Sequence, residues 1–204
     1  MDPVGVLIAF YSRNGNTARL AEAVAEGARS EGATVTLRRI DEFVPDAVIA
    51  GVPGWAENRA RLRESYPAPT PADAEAADAI VFGTPTRFGN ASAELKSYID
   101  SLGALWAKGA LSGKVGSAFV STSSVHGGNE TTILTLYVPM AHFGMIIVPP
   151  GFDLQESFQS GSPYGATSVS ANADRPPTDG DLAVARHQGA KVARVAKALK
   201  AAQL

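Results

Sequence analysis

The chain has 204 residues, 45% of them hydrophobic, and 18 Lys plus Arg against 20 Asp plus Glu give a formal charge of −2. That length suffices for one sizeable core, and the near balance of charge argues against a general nucleic-acid binder, which carries a basic surplus. The absence of cysteine excludes disulfides, thiolate metal sites and cysteine nucleophiles.

Strand and helix signals alternate from the start. Val4–Tyr11 is a short apolar run with little alternation, as in a strand covered on both faces. In the segment after it Leu20, Ala21, Val24, Ala25 and Ala28 share one helical face, and Gly32 closes it. Thr34–Ile40 alternates and is β-branched, a second strand. Residues 41–78, with Pro45, Pro53, Pro67, Pro69 and Pro71, read as irregular, with a short helix near Trp55–Glu64. Ala79–Gly83 is a third strand, followed by a helix carrying Leu95, Ile99 and Leu102. Gly116–Val120 is a fourth strand, and a helix over Thr131–Phe143 is interrupted by Pro139. Met145–Val148 is a fifth strand. Gly151–Pro177 is rich in glycine, serine and proline and reads as an ordered excursion or a flexible lid. Asp179–Leu204 is a final helix with Leu182, Ala185, Gly189, Val192, Ala196 and Leu199 as its apolar stripe.

Strands interleaved with helices predict an α/β fold, a doubly wound parallel sheet of five strands with helices on both faces, all within one domain over 1–204. Met1-Asp2-Pro3 lacks the basic segment of a signal peptide, and no apolar run approaches the roughly 18 residues of a membrane span. A cytoplasmic protein with no membrane segment is expected. Ligands of such sheets bind beyond the carboxyl ends of the strands, which directs attention to three loops.

The first is Ser12-Arg13-Asn14-Gly15-Asn16-Thr17. It offers hydroxyls, amides and backbone N–H groups at a helix start, which suits an anion, and Gly15 permits a tight turn. Without the lysine of G-x-x-x-x-G-K-[ST], a nucleoside triphosphate is disfavoured and a monophosphate held by neutral donors fits better. The same residues also read as a plain N-cap. The second is Thr84-Pro85-Thr86-Arg87-Phe88-Gly89-Asn90, able to read the edge of a flat heterocycle, or else a strand-to-helix turn capped by Asn90 or Ser92. The third, Ser121-Thr122-Ser123-Ser124-Val125-His126-Gly127-Gly128-Asn129, suits a polyol chain or the rim of a planar ring, or else is a surface loop. Convergence of the three at strand ends favours one ligand site. His142, just before the fifth strand, and Trp106 are both expected near this rim, His142 as a structural or a catalytic histidine. Trp106 is either core or an exposed stacking surface.

"GTPTRFGNASAELKSYID", "GALWAKGALSGK", "MAHFGMIIVPPGF" and "GSPYGATSVSA" together resemble the WrbA family over nearly the whole chain. These are flavodoxin-like, type IV NAD(P)H:quinone oxidoreductases, with strand order 2-1-3-4-5. The resemblance implies FMN as cofactor and NADH or NADPH as donor. Ser12, Arg13, Asn14, Gly15, Asn16 and Thr17 would hold the FMN phosphate. Pro85, Thr86, Arg87, Phe88, Gly89 and Asn90 would line the isoalloxazine. Thr122, Ser123, Ser124, Val125, His126 and Gly127 would complete its edge and the ribityl contacts. His142 matches the family's histidine at the flavin site, and is expected to hydrogen-bond flavin or quinone. Trp106 matches the tryptophan of the substrate box, with Asn14 at the substrate side. A homotetramer, a dimer of dimers whose neighbouring subunits wall the site, is also implied. The expected reaction is two-electron reduction of quinones by hydride transfer, with donor and quinone taking turns at one site in ping-pong order. No nucleic-acid partner is expected.

Two departures stand out. Where the family often has an aromatic residue and a histidine in the first loop, this chain has Asn14 and Asn16, and the third loop carries His126 where the family is richer in glycine. Rival readings are a flavodoxin-type electron carrier, an azo or nitro reductase using FMN, and an interaction protein without flavin. Arg13, Arg87 and Arg175 are all candidates to read a 2′-phosphate on the donor.

Overall fold

A computed structural model describes residues 2–172 and 174–203. Strand β1 (Gly5–Phe10) leads into α1 (Asn16–Ser30) and β2 (Thr34–Arg39). Residues 41–78 hold more structure than their prolines suggest: α2 (Asp46–Ala50), α3 (Trp55–Ser65) and α4 (Pro71–Ala76). Pro71 opens α4 at a position where its missing N–H costs nothing, and Thr70 with Asp73 forms a capping box. Then come β3 (Ala79–Pro85), α5 (Ala93–Ser101), α6 (Gly103–Ala107), β4 (Val115–Thr122) and α7 (Asn129–His142). Pro139 lies inside α7, whose bonding continues past it, since Phe143 N–H donates to the Pro139 carbonyl. The chain ends with β5 (Ile146–Ile147), a 3-10 turn (Gln155–Phe158), β6 (Thr167–Val169) and α8 (Asp179–Ala202).

The strands pair in parallel in the order β2-β1-β3-β4-β5, the expected order. Side chains of β1 divide between two cores, as period-2 alternation requires. Val6, Ile8 and Phe10 join a cluster with α1 and α8, whereas Leu7, Ala9 and Tyr11 join one with α5 and α7.

The fifth position of the sheet departs from expectation. Met145–Val148 supplies only Ile146 and Ile147, paired with Val115 and Gly116. The chain then leaves, and Thr167–Val169 returns beside Val120–Thr122 as β6. The interruption is filled by one buried side chain of α8. Gln188 donates from Nε2 to the Ser117 hydroxyl (2.7 Å) and the Ala118 carbonyl (2.8 Å), and its Oε1 accepts from Ala166 N–H (2.8 Å). It thus completes ladder bonds that a continuous strand would have made.

Candidate cofactor site

Helix α1 begins on Gly15, whose φ of 100° lies in the left-handed region that favours glycine. Ser12 Oγ accepts from the N–H groups of Gly15 (3.2 Å) and Ala18 (3.3 Å). The cap reading of Ser12 therefore holds for these donors. Among the described residues no acceptor meets the backbone N–H of Arg13, Asn14, Asn16 or Thr17. Unpaired N–H groups at a helix start are the donor set that a phosphate needs.

The loop is anchored to its neighbours. Thr17 Oγ1 shares a hydrogen bond with Ser121 Oγ at the end of β4 (2.8 Å). Asn16 Nδ2 donates to the Arg175 carbonyl (2.8 Å), tying the first loop to the segment after β6. In the second loop, Thr86 N–H donates to the Ser121 carbonyl and Thr86 Oγ1 pairs with Thr132 Oγ1, each at 2.8 Å. Arg87 and Asn90 exchange both backbone hydrogen bonds around a tight turn. Phe88 (φ 54°) and Gly89 (φ 76°) both sit in the left-handed region there, and the Phe88 ring is fully exposed.

These loops enclose a cavity of about 580 Å³. Ser12, Arg13, Asn14, Asn16, Thr17, Pro85, Thr86, Arg87, Thr122 and Ser123 line it, together with Ser121, Val52, Pro53, Asn58, Ser170 and Asn172. Among the described residues two arginines and no carboxylate face it, so the cavity favours an anion although the chain as a whole is slightly acidic. Its volume, its free N–H groups and its hydroxyl rim are of the kind a flavin mononucleotide requires.

Several candidate residues stand elsewhere. Gly15 turns the loop without lining the cavity, and Phe88, Gly89, Asn90, Ser124, Val125, His126 and Gly127 also lie outside the lining. Phe88, Val125 and His126 are exposed. His142 is not at the carboxyl rim of its own sheet. Helix α7 starts at that rim and runs 14 residues back, about 20 Å at 1.5 Å per residue. Its end is pinned at the amino edge, where Gly113 N–H donates to the Gly144 carbonyl and Ile146 N–H to the Lys114 carbonyl. Preceding the fifth strand therefore puts His142 at the far end of the sheet. There it shares an apolar groove of about 400 Å³ with Trp106, Ile99, Val138, Pro139 and Phe143. Trp106 is exposed, 54% by area, which decides for the surface reading over the core one.

The lining also includes residues that the sequence did not single out. Val52, Pro53 and Asn58 come from the α2–α3 region, where no periodic signal marks them. Ser170 and Asn172 follow β6 at the end of the polar "SVSAN", a cluster of hydrogen-bonding side chains that offered a weak signal. Asn172 is anchored by Ser123: its N–H donates to Ser123 Oγ (3.1 Å), which in turn donates to Asn172 Oδ1.

Residues 3–159 match the family described as NADPH-dependent FMN reductase. A protein of Azorhizobium caulinodans named NAD(P)H dehydrogenase (quinone) is 43% identical over 200 residues, covering 95% of this chain and 98% of the relative. One of Rhizobium meliloti, NAD(P)H dehydrogenase (quinone) 3, is 45% identical over 203 residues, covering 96% and 93%. Among solved structures, a flavodoxin, WrbA-like protein from Agrobacterium tumefaciens superposes with a TM-score of 0.66 at 28% identity, covering 96% of this chain and 98% of that one. The chain thus belongs to the NADPH-dependent FMN reductase family and, within it, to the WrbA-type proteins that its motifs resemble.

Proposed function

We propose that this chain is an FMN-dependent NAD(P)H:quinone oxidoreductase, with its FMN-binding domain over 1–204, that reduces quinones by two electrons in ping-pong order. The observation that carries the reading is the convergence of three strand-end loops on one cavity with two arginines, unpaired N–H groups and, among the described residues, no carboxylate. It is joined by 43–45% identity to relatives named for quinone and NAD(P)H.

Ser12–Thr17 hold the phosphate through backbone N–H groups and the Thr17 hydroxyl. Pro85, Thr86 and Arg87 border the ring, and Thr122 and Ser123 meet the polyol. Bound FMN supplies hydride acceptance from NADH or NADPH and its delivery as two electrons to a quinone. The protein contributes orientation and electrostatics. Arg13 and Arg87 keep the cavity positive, and no side-chain nucleophile is needed.

Trp106 and His142 belong to the proposal through assembly. Both stand in an exposed apolar groove at the far end of their own sheet. In a homotetramer such a groove can wall a neighbour's flavin, and His142 would then hydrogen-bond the bound quinone, stabilising the negative charge that develops on it. A cytoplasmic location is part of the same reading. Among the described residues no helix is long and apolar enough to cross a membrane.

The test is steady oxidation of NADH and NADPH with benzoquinone, without any partner reductase. Turnover in double-reciprocal plots of parallel lines is expected. A yellow protein that turns over only with an added reductase would instead be an electron carrier. His142→Ala should depress quinone turnover while FMN stays bound; unchanged turnover would remove His142 from the reaction.

A further inference from the structure

Beneath the first loop lies a buried polar network that none of the roles above uses. Arg39, at the end of β2, is 1% exposed. Its Nε (3.2 Å) and Nη2 (3.1 Å) both donate to the Ser12 carbonyl. The same Nη2 meets Glu42 Oε1 at 2.5 Å, and Nη1 meets Asp41 at 3.0 Å. Glu42 Oε1 also accepts from Trp55 Nε1 (3.0 Å) and the Tyr11 hydroxyl (3.4 Å). Burial, with the nearby carboxylates of Glu94 and Glu42, raises the Tyr11 pKa, so this phenol stays a donor. On its other side, the Trp55 ring carries the guanidinium of Arg13, 3.9 Å from its centroid.

We propose that Arg39 and Glu42 are positioning residues for the phosphate end of the flavin. They act on both halves of the Ser12–Arg13 unit. Across a planar trans peptide the N–H points opposite to the C=O. Two guanidinium donors hold the Ser12 carbonyl inward, so the Arg13 N–H is turned away from the network, where no acceptor among the described residues meets it. Released, that peptide can rotate and present a carbonyl oxygen to the anion, replacing attraction with repulsion. Glu42 fixes Trp55, and Trp55 holds the Arg13 side chain at the cavity wall. A stability role alone explains the arrangement poorly, because a buried ion pair is commonly no more stabilising than apolar residues of the same volume. The geometry of one carbonyl and one cation is what this pair supplies.

The inference rests on the reading of the cavity as an FMN site. It is tested by titrating flavin-free full-length protein with FMN and with riboflavin, which lacks the phosphate, following quenching of flavin fluorescence. Arg39→Lys keeps the charge but not the fork that spans Ser12 and Glu42. It should weaken FMN at least tenfold and riboflavin less than threefold. Equal weakening of both ligands, or of neither, overturns the proposal. If Arg39→Lys does not fold, Trp55→Phe serves instead: it keeps a ring under Arg13 and deletes the Glu42 contact, and an effect of about threefold confined to FMN is expected. Absence of that selectivity overturns the proposal equally. Wild-type protein that binds riboflavin as tightly as FMN would sink the phosphate-loop reading itself, a distinct failure.

Discussion

Ser12 serves two ends, one with its hydroxyl and one with its backbone carbonyl. It accepts from Gly15 and Ala18 N–H groups, while its carbonyl is held by Arg39. Ser12→Ala should cost about 1 kcal/mol of stability through the lost cap, visible as a lower Tm, and should weaken FMN. Asn14 and Asn16, separated only by Gly15, are unlike in the fold. Asn16 is tied to the Arg175 carbonyl, so it has an architectural task that an unlinked amide would not. Asn14 is exposed at the cavity mouth, where the family resemblance leads one to expect a ring. Asn14→Tyr is expected to lower the apparent KM for the nicotinamide or the quinone by stacking. Unchanged KM for both in steady-state assays would show that the ring is dispensable in this chain.

At the scale of elements, the interrupted fifth strand and the α1–α8 contact carry the sharpest consequences. Gln188 is the only described side chain hydrogen-bonded at once to Ser117, Ala118 and Ala166. Gln188→Leu strands a buried carbonyl and a buried N–H, at about 2–3 kcal/mol together. For a chain of this size the Tm should fall by about 5–10 °C, measurable by calorimetry. Gly189 and Gly27 let the two helices touch backbone to backbone. A Cβ on Gly189 would stand 1.9 Å from the Val24 carbonyl oxygen, and one on Gly27 1.8 Å from that of Arg186. Gly189→Ala should therefore destabilise by about 1–3 kcal/mol through forced separation, despite the better helix propensity of alanine. A neutral or higher Tm would refute the close contact. Sequence period located α1 and α8 and put Gly189 on the apolar stripe. It did not reveal β6 or Gln188, because pairing across an interruption of the sheet leaves no local pattern.

At the scale of the whole molecule, acid stability depends on carboxylates that join distant segments. Asp78 is pushed up by burial, but the Gly5 N–H and the Lys200 ammonium outweigh this and leave it below its ordinary 3.8. Asp73 behaves alike, with burial opposed and outweighed by Arg38 and Thr70. A carboxyl depressed in the folded state contributes stability that is complete above its unfolded value and lost as pH falls through the folded one. The Tm should be nearly flat from about pH 5 to 7 and drop below about pH 4. Asp78→Asn should lower the Tm at neutral pH and flatten part of that acid drop. An acid profile identical to wild type would show that the contact to Gly5 and Lys200 is not felt.

What the sequence determined by itself was local or topological. Contiguous apolar runs and 3.6-residue stripes marked most strands and helices. Parallel βα units then send every strand end to one rim, which groups the loops after Phe10, Gly83 and Val120. Tertiary structure alone decided the rest. It set which loop residues face the cavity, brought Val52, Asn58 and Asn172 to its wall, and placed Arg39 and Glu42 beneath Ser12. It also carried His142 to the opposite end of its own sheet, because a helix of 14 residues spans the height of the strands it covers, and set it in one groove with Trp106 of α6. The difference has one physical source. Periodicity is written in neighbours along the chain, whereas a site is made by residues whose only relation is that the sheet brings them together.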